Sequence, residues 1–274
     1  MMSKCRMFLF LGEARDAVEL LNALKETAIT DYTCPWSKNM YRNTCGHHPH
    51  GWGIALVTLD KDHLYLYRSL FPIWLDHKYK HISDILLRWN KKRIFLLAHA
   101  RRAPHGPWNL LSTHPFHVQC WDSSILIVAH NGKLGEQIKE ELARNLGLSN
   151  YNQVCDTYIL AHYLAIKEEN INSFEGNIKH KLYSLSQKDN DTTLDLLMLR
   201  IDWKNIVGYA YSHFTHSFRY YQMFFIDDEF KLVVSSGLKV TLESRYEKIQ
   251  ETIQKLPKFK LTRGTFNGIT VDSD

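Results

Sequence analysis

The sequence has no apolar run near the roughly 18 residues that a membrane-spanning helix needs. Its longest runs, Ile94 to Ala98 and Ile125 to Ala129, are the length of a strand. It also lacks any block of five or six like charges, although the net charge is +5 and the pI about 8.8. Without a clustered basic patch, a nucleic-acid partner is not expected, and without a long apolar run neither is a membrane. The mild positive balance suits small anionic substrates. No small-residue cleavage site follows the basic start, and Glu13, Arg15 and Asp16 interrupt the short apolar stretch there. A signal peptide is therefore not expected, and the cytoplasm is the expected location. Cysteine is sparse, five in 274 residues, an odd count that does not read as a disulfide framework. Repeats, low-complexity tracts and Pro- or Gly-rich linkers are missing too, which predicts one domain over residues 1–274.

Against those absences stand many strand-like runs. Arg6 to Leu11, Ile54 to Leu59, Leu64 to Tyr67, Arg93 to Ala100, Ile125 to His130, Ile206 to Tyr211, Tyr221 to Ile226 and Phe230 to Ser235 are rich in β-branched, aromatic and leucine residues. Several are apolar on consecutive positions, as in strands covered on both faces. Helical spacing appears in Ala14 to Ala28, Lys133 to Leu146 and Val154 to Glu169. The polar stretch from Gln187 reads as a loop ending in a helix cap, which predicts a helix over Leu194 to Leu199. Together these predict an α+β fold of sandwiched sheets with helices outside.

Chemistry-bearing residues collect at the ends of the strand-like runs. Cys5-Arg6 leads into the first. His48-Pro49-His50-Gly51-Trp52-Gly53 opens another. His99-Ala100-Arg101-Arg102 closes a third, followed by Ser112-Thr113-His114-Pro115-Phe116, and His130-Asn131-Gly132 closes a fourth. A weaker segment, Cys155-Asp156-Thr157, begins a helical pattern. Each has a plain structural reading. Asn131-Gly132 is a common hairpin dipeptide, Gly51-Trp52-Gly53 reads as a turn with a packed indole, and Asp156 as a first-turn acid favoured by the helix dipole. His99, His105, His114 and His130, or Cys34 and Cys45 with His47 and His48, invite a zinc reading. Neither set has recognised ligand spacing, so no metal and no cofactor are expected.

Taken in this order, the segments resemble the class II glutamine amidotransferases of the N-terminal nucleophile hydrolase superfamily. The likeness is closest to short, stand-alone glutaminase-domain members beginning Cys-Arg. It spans roughly Cys5 to Ala161, with Val233-Val234-Ser235-Ser236 similar to a late family strand. The resemblance implies a four-layer αββα sandwich of two mainly antiparallel sheets. It implies hydrolysis of the glutamine side-chain amide by a Cys5 thiolate through a glutamyl thioester, giving glutamate and ammonia. The α-amine of Cys5 would serve as base, and the Asn131 side chain with the Gly132 backbone N–H as oxyanion hole. Arg101 would hold the substrate α-carboxylate and Asp156 its α-ammonium, with His114 and Trp52 shaping the pocket. Expected partners are glutamine or a γ-glutamyl small molecule, and a separate synthase or acceptor-binding protein to use the ammonia.

Three departures qualify that expectation. Met1 to Lys4 precede Cys5, whose nitrogen is then an amide that cannot act as a base. Residues 1–4 are accordingly read as a propeptide, a mis-assigned start or an extension, or as a sign that activity is lost. His50 stands where the family usually has Asp, and Pro104 where a small or hydroxylated residue is common. Alternatives are hydrolysis of γ-glutamyl peptides or conjugates, a non-catalytic binding or scaffold protein retaining the fold, and a histidine-based metal hydrolase. Trp36 to His47 and Pro72 to Lys80 are read as loops able to close over substrate.

Overall fold

Strand-length runs that are apolar on every position need cover on both faces, and the fold supplies it. The computed structural model describes residues 5–30, 47–103, 108–214, 223–227, 230–245, 259–260 and 265–269. The strands are β1 (Arg6–Glu13), β2 (Trp52–Thr58), β3 (Leu64–Ser69), β4 (Arg93–Ala100), β5 (Phe116–Gln119) and β6 (Ile125–Lys133). They continue with β7 (Thr193–Ile201), β8 (Ile206–His213), β9 (Met223–Asp227), β10 (Lys231–Ser235), β11 (Phe259–Lys260) and β12 (Thr265–Ile269). One sheet runs β11-β9-β10-β1-β4-β2-β3 and the other β12-β8-β7-β6-β5, with antiparallel pairing throughout.

The helices are α1 (Ala14–Ile29), α2 (Lys78–Trp89), α3 (Glu136–Asn145), α4 (Asp156–Ala165), α5 (Phe174–Lys188) and α6 (Ser236–Arg245). Alternation along each strand sorts side chains into three cores. Phe8, Phe10, Ile54, Leu56, Ile94 and Leu96 face outward onto Leu20, Leu21 and Leu24 of α1, Ile82 and Leu86 of α2, and Leu238 and Leu242 of α6. Leu126, Val128, Leu194, Leu196 and Met198 face the other way, onto α3, α4 and α5. Between the sheets, Met7, Leu9, Leu11, Phe95 and Leu97 meet Ile127, Ala129, Leu197 and Leu199. The result is the αββα order of layers, with a dry seam between two stacked sheets.

Most elements lie where the sequence predicts them, α1 nearly residue for residue. The segment Leu194 to Leu199 is a correction. It is the centre of β7, bonded to β6 and β8, not a helix. Leu, Met and Leu on every position suit either state by propensity. What decides is that Leu194, Leu196 and Met198 are needed on one face and Leu197 and Leu199 on the other. Pro72 to Lys80 is likewise not simply a loop, because α2 begins within it. Trp36 to Gly46, Cys34, Cys45, Pro104 and His105 lie outside the described residues. No described helix is long and apolar enough to cross a membrane.

Leu197 is fully buried in the inter-sheet seam. Replacing it by Ala should lower unfolding free energy by about 2–5 kcal/mol, measured by urea denaturation. A loss under about 1 kcal/mol would contradict its placement there.

Candidate active site

Cys5 is the residue immediately before β1, and the register of that strand decides its neighbours. Arg6 stands opposite Ala100 at the end of β4, so Cys5 meets the chain as it leaves β4 through Arg101 and Arg102. The Arg102 N–H points at the Cys5 thiol, with N and Sγ 3.4 Å apart, and Arg6 Nη1 donates to the Cys5 carbonyl at 3.0 Å. From the second sheet, Asn131 Oδ1 accepts the Cys5 N–H at 3.0 Å. On the other side of β1, Ser235 Oγ accepts the Met7 N–H at 3.2 Å, a role for the late Val233 to Ser236 segment.

The glycine-rich segment before β2 holds the Arg101 backbone. Arg101 N–H donates to Gly51 O at 2.8 Å, His50 N–H donates to Arg101 O at 3.2 Å, and His50 Nδ1 accepts the Ala103 N–H at 3.0 Å. Gly53 has no room for a side chain, since a Cβ there would lie 2.3 Å from His114 O. Its absence lets the His114 segment cross the sheet. Gly132 is similarly enclosed, a Cβ meeting Thr193 O at 2.0 Å. Asn131-Gly132 is not a hairpin turn but the interior of β6, opposite Asp195 and Leu194.

Asp156 is the first residue of α4. Its Oδ2 accepts the Leu134 N–H at 3.0 Å, and Lys139 Nζ of α3 lies 3.4 Å from Oδ1. Thr157, next in the chain, sits between two buried imidazoles, 2.6 Å from His114 Nε2 and 3.2 Å from His130 Nδ1. Because His130 Nε2 is 2.9 Å from Thr193 O, it must carry the proton. His130 Nδ1 then accepts from the Thr157 hydroxyl, which in turn accepts from His114 Nε2–H. The His99 ring packs on His114 with centroids 4.2 Å apart.

These residues enclose one cavity of about 270 Å³, lined by Cys5, Arg101, His114, Asn131, Gly132 and Asp156 together with Arg102, Lys139, Cys155 and Thr157. Six of the seven sequence-predicted site residues are thus brought together. Trp52 is not among them. Its indole is fully buried in the outer core, donating from Nε1 to Asp76 Oδ2 at 3.0 Å. Lys139, Thr157 and Arg102 are among the lining residues outside the sequence-predicted set, as are His130, Lys133 and Cys155. Lys139 sits in an ordinary amphipathic helix and gives no signal, whereas Arg102 and Thr157 adjoin residues already identified. Pro72 to Lys80 does not line this cavity. A larger cavity, about 540 Å³, lies between β3 and α2 and contains none of these groups.

Burial pushes the Cys5 thiol above its ordinary range, against the Arg102 backbone N–H and the nearby Arg101, Arg6 and Arg102 charges. Burial likewise raises Cys155 to about 11. Burial, then Arg101 and His48, hold His99 down to about 3. His114 is lowered for the same first reason, with His99, His130 and Arg101 adding to it. The imidazoles are therefore neutral. Among the described residues no group of three or more potential ligands is placed to hold a metal.

Residues 19–215 match the family model for class II glutamine amidotransferases. The match covers more than half of the chain, and it includes Arg101, His114, Asn131, Gly132 and Asp156 but not Cys5. The chain belongs to the class II glutamine amidotransferases. It is similar in fold to the allosteric regulatory enzyme of purine biosynthesis, at 16% identity and TM-score 0.57. A second similar structure is glutamine phosphoribosylpyrophosphate amidotransferase from B. subtilis complexed with ADP and GMP, at 17% identity and TM-score 0.56. The likeness covers 86% of this chain and 43% of each of those. A class-II domain protein from Silicibacter pomeroyi aligns over 81% of this chain and 88% of its own, at 14% identity and TM-score 0.48. No curated protein matches the sequence.

The neutral histidines give a pH prediction. His99 binds its proton near pH 6.5 when unfolded but only near pH 3 when folded. Between those values the unfolded chain holds more protons, so stability is full above about pH 6.5 and falls as pH drops toward 3. Melting temperature should decline steeply from pH 7 to 4, and His99→Gln should flatten that decline. An unchanged slope in the variant would contradict the assignment.

Proposed function

We propose that this protein hydrolyses the side-chain amide of glutamine, with Cys5 as nucleophile. The observation that carries the reading is the bond from Cys5 N–H to Asn131 Oδ1 in a cavity that also holds Arg101 and Asp156. An amide carbonyl bound there meets a thiol, a carboxamide and a backbone N–H together. Arg101 takes the α-carboxylate with its planar fork, and Asp156 takes the α-ammonium.

Because burial raises the Cys5 thiol, little thiolate forms unaided and a local base is required. The α-amine of Cys5, titrating near roughly 7.7–8.0, meets that need once the bond from Lys4 is cleaved or never made. It accepts the thiol proton, the sulfur attacks the amide carbon, and the oxyanion forms against Asn131 Nδ2 and Gly132 N–H. The ammonium-bearing nitrogen returns the proton to the departing amine, leaving a glutamyl thioester and ammonia. Water then cleaves the thioester to glutamate and restores the thiol. The neutral His114 and His130 hold Thr157 and the cavity wall and carry no proton in this scheme. Cytoplasmic location, and transfer of the ammonia to another protein, belong to the same reading.

A chain beginning at Cys5 should release ammonia and glutamate from glutamine, with a rate rising through about pH 8. Full-length protein retaining Met1 to Lys4 should be inactive. Asn131→Ala should slow the active form about 10²–10³-fold, and Cys5→Ala should abolish turnover. If the chain begun at Cys5 releases neither product from glutamine nor glutamate from γ-glutamyl compounds, the protein is instead a binding protein retaining the fold.

A further inference from the structure

Asp156 is the one carboxylate among the described residues lining the Cys5 cavity, and both its oxygens are engaged. Oδ2 takes the Leu134 N–H at 3.0 Å, and Oδ1 faces the Lys139 ammonium at 3.4 Å. Lys139 is held to this position. Its side chain is only 13% exposed, it lines the same cavity, and its ammonium lies 5.9 Å from the Tyr151 ring centroid. A surface lysine would keep its ammonium in water, whereas this one turns it to Asp156.

The glutamyl reading gives that acid to the substrate α-ammonium, and the present inference rests on that reading. Two ammonium groups cannot both hold Oδ1 at contact distance without mutual repulsion. An α-ammonium that arrives must therefore displace Lys139. A ligand with no charge on its α-nitrogen leaves Lys139 where it is, and Asp156 remains paired. That removes the usual penalty for burying an unmatched carboxylate.

We propose that Lys139 is a specificity-determining residue whose ammonium stands in for the substrate α-ammonium at Asp156, so that the site admits glutamyl compounds with an acylated α-nitrogen as well as the free amino acid. A lone acid at this position would select the free amine strongly. The Lys139–Asp156 pair lowers that selection from both sides, weakening the free amine and sparing the acylated one.

Calorimetric titration of the chain begun at position 5 and carrying Cys5→Ala, with L-glutamine and with Nα-acetyl-L-glutamine, tests this without turnover. The parent should bind the two within about tenfold of each other. Lys139→Gln should tighten glutamine and weaken the acetyl compound, widening their ratio about tenfold. Lys139→Arg should keep the parent ratio. Lys139→Met, which retains the packed stem, gives the same reading if the glutamine variant does not fold. A ratio unchanged or narrowed on removing the charge overturns the proposal while the glutamyl reading stands. Binding of neither compound by the parent overturns both.

Discussion

Cys5 and Asn131 are 126 positions apart, and the 3.0 Å hydrogen bond between them crosses from one sheet to the other. That bond has the right length only if two registers hold at once. Arg6 must stand opposite Ala100 in the first sheet, and Asn131 opposite Asp195 in the second. A one-residue slip in either would turn the inward residues outward. The seam of Met7, Leu9, Leu97, Ile127, Ala129 and Leu197 makes such a slip costly, because every slipped strand would bury the wrong face. The packing between the sheets therefore sets the position of the thiol. The cavity lies where strand ends from both sheets and the start of α4 converge.

Charge organises the rest. Arg6, Arg101 and Arg102 surround a thiol that burial still keeps protonated. Burial, with Arg101, holds the neighbouring His99 and His114 well below the usual imidazole range, and His114 and His130 meet at the Thr157 hydroxyl in the cavity wall. An enclosed, positively charged pocket with a neutral thiol is unreactive until a base is supplied. Making that base depend on the bond before Cys5 would tie activity to the state of the N-terminus. In the proposed reaction such an arrangement would let the fold form with Cys5 masked.

Much of this was legible in the sequence, for identifiable reasons. The family resemblance carried by motifs at strand ends, and by Asp156 at a helix start, points to Cys5, Arg101, His114, Asn131, Gly132 and Asp156, and the structure gathers these around one cavity. Trp52 was read toward the pocket because it adjoins Gly51 and Gly53, but strand alternation sends its indole to the opposite face, under α2. The glycines belong to the site side through the backbone they free, at Arg101 and His114. Lys139 was not legible, because nothing in a helical repeat shows which lysine will meet an acid 17 positions later. The local pattern of β7 fits both helix and strand, and only the two-sided burial supplied by neighbouring strands decides between them.

The proposed chemistry stands or falls with Cys5, bearing a free α-amine, as the nucleophile of a glutamine-binding cavity. A diazoketone analogue of glutamine, incubated with protein purified from its native host and followed by intact-mass and peptide mass spectrometry, tests it most directly. A single covalent adduct on Cys5 is expected, found only in chains that begin at that residue and suppressed by excess glutamine. Labelling of chains still carrying Met1 to Lys4, or of Cys34, Cys45, Cys120 or Cys155 in place of Cys5, would contradict it.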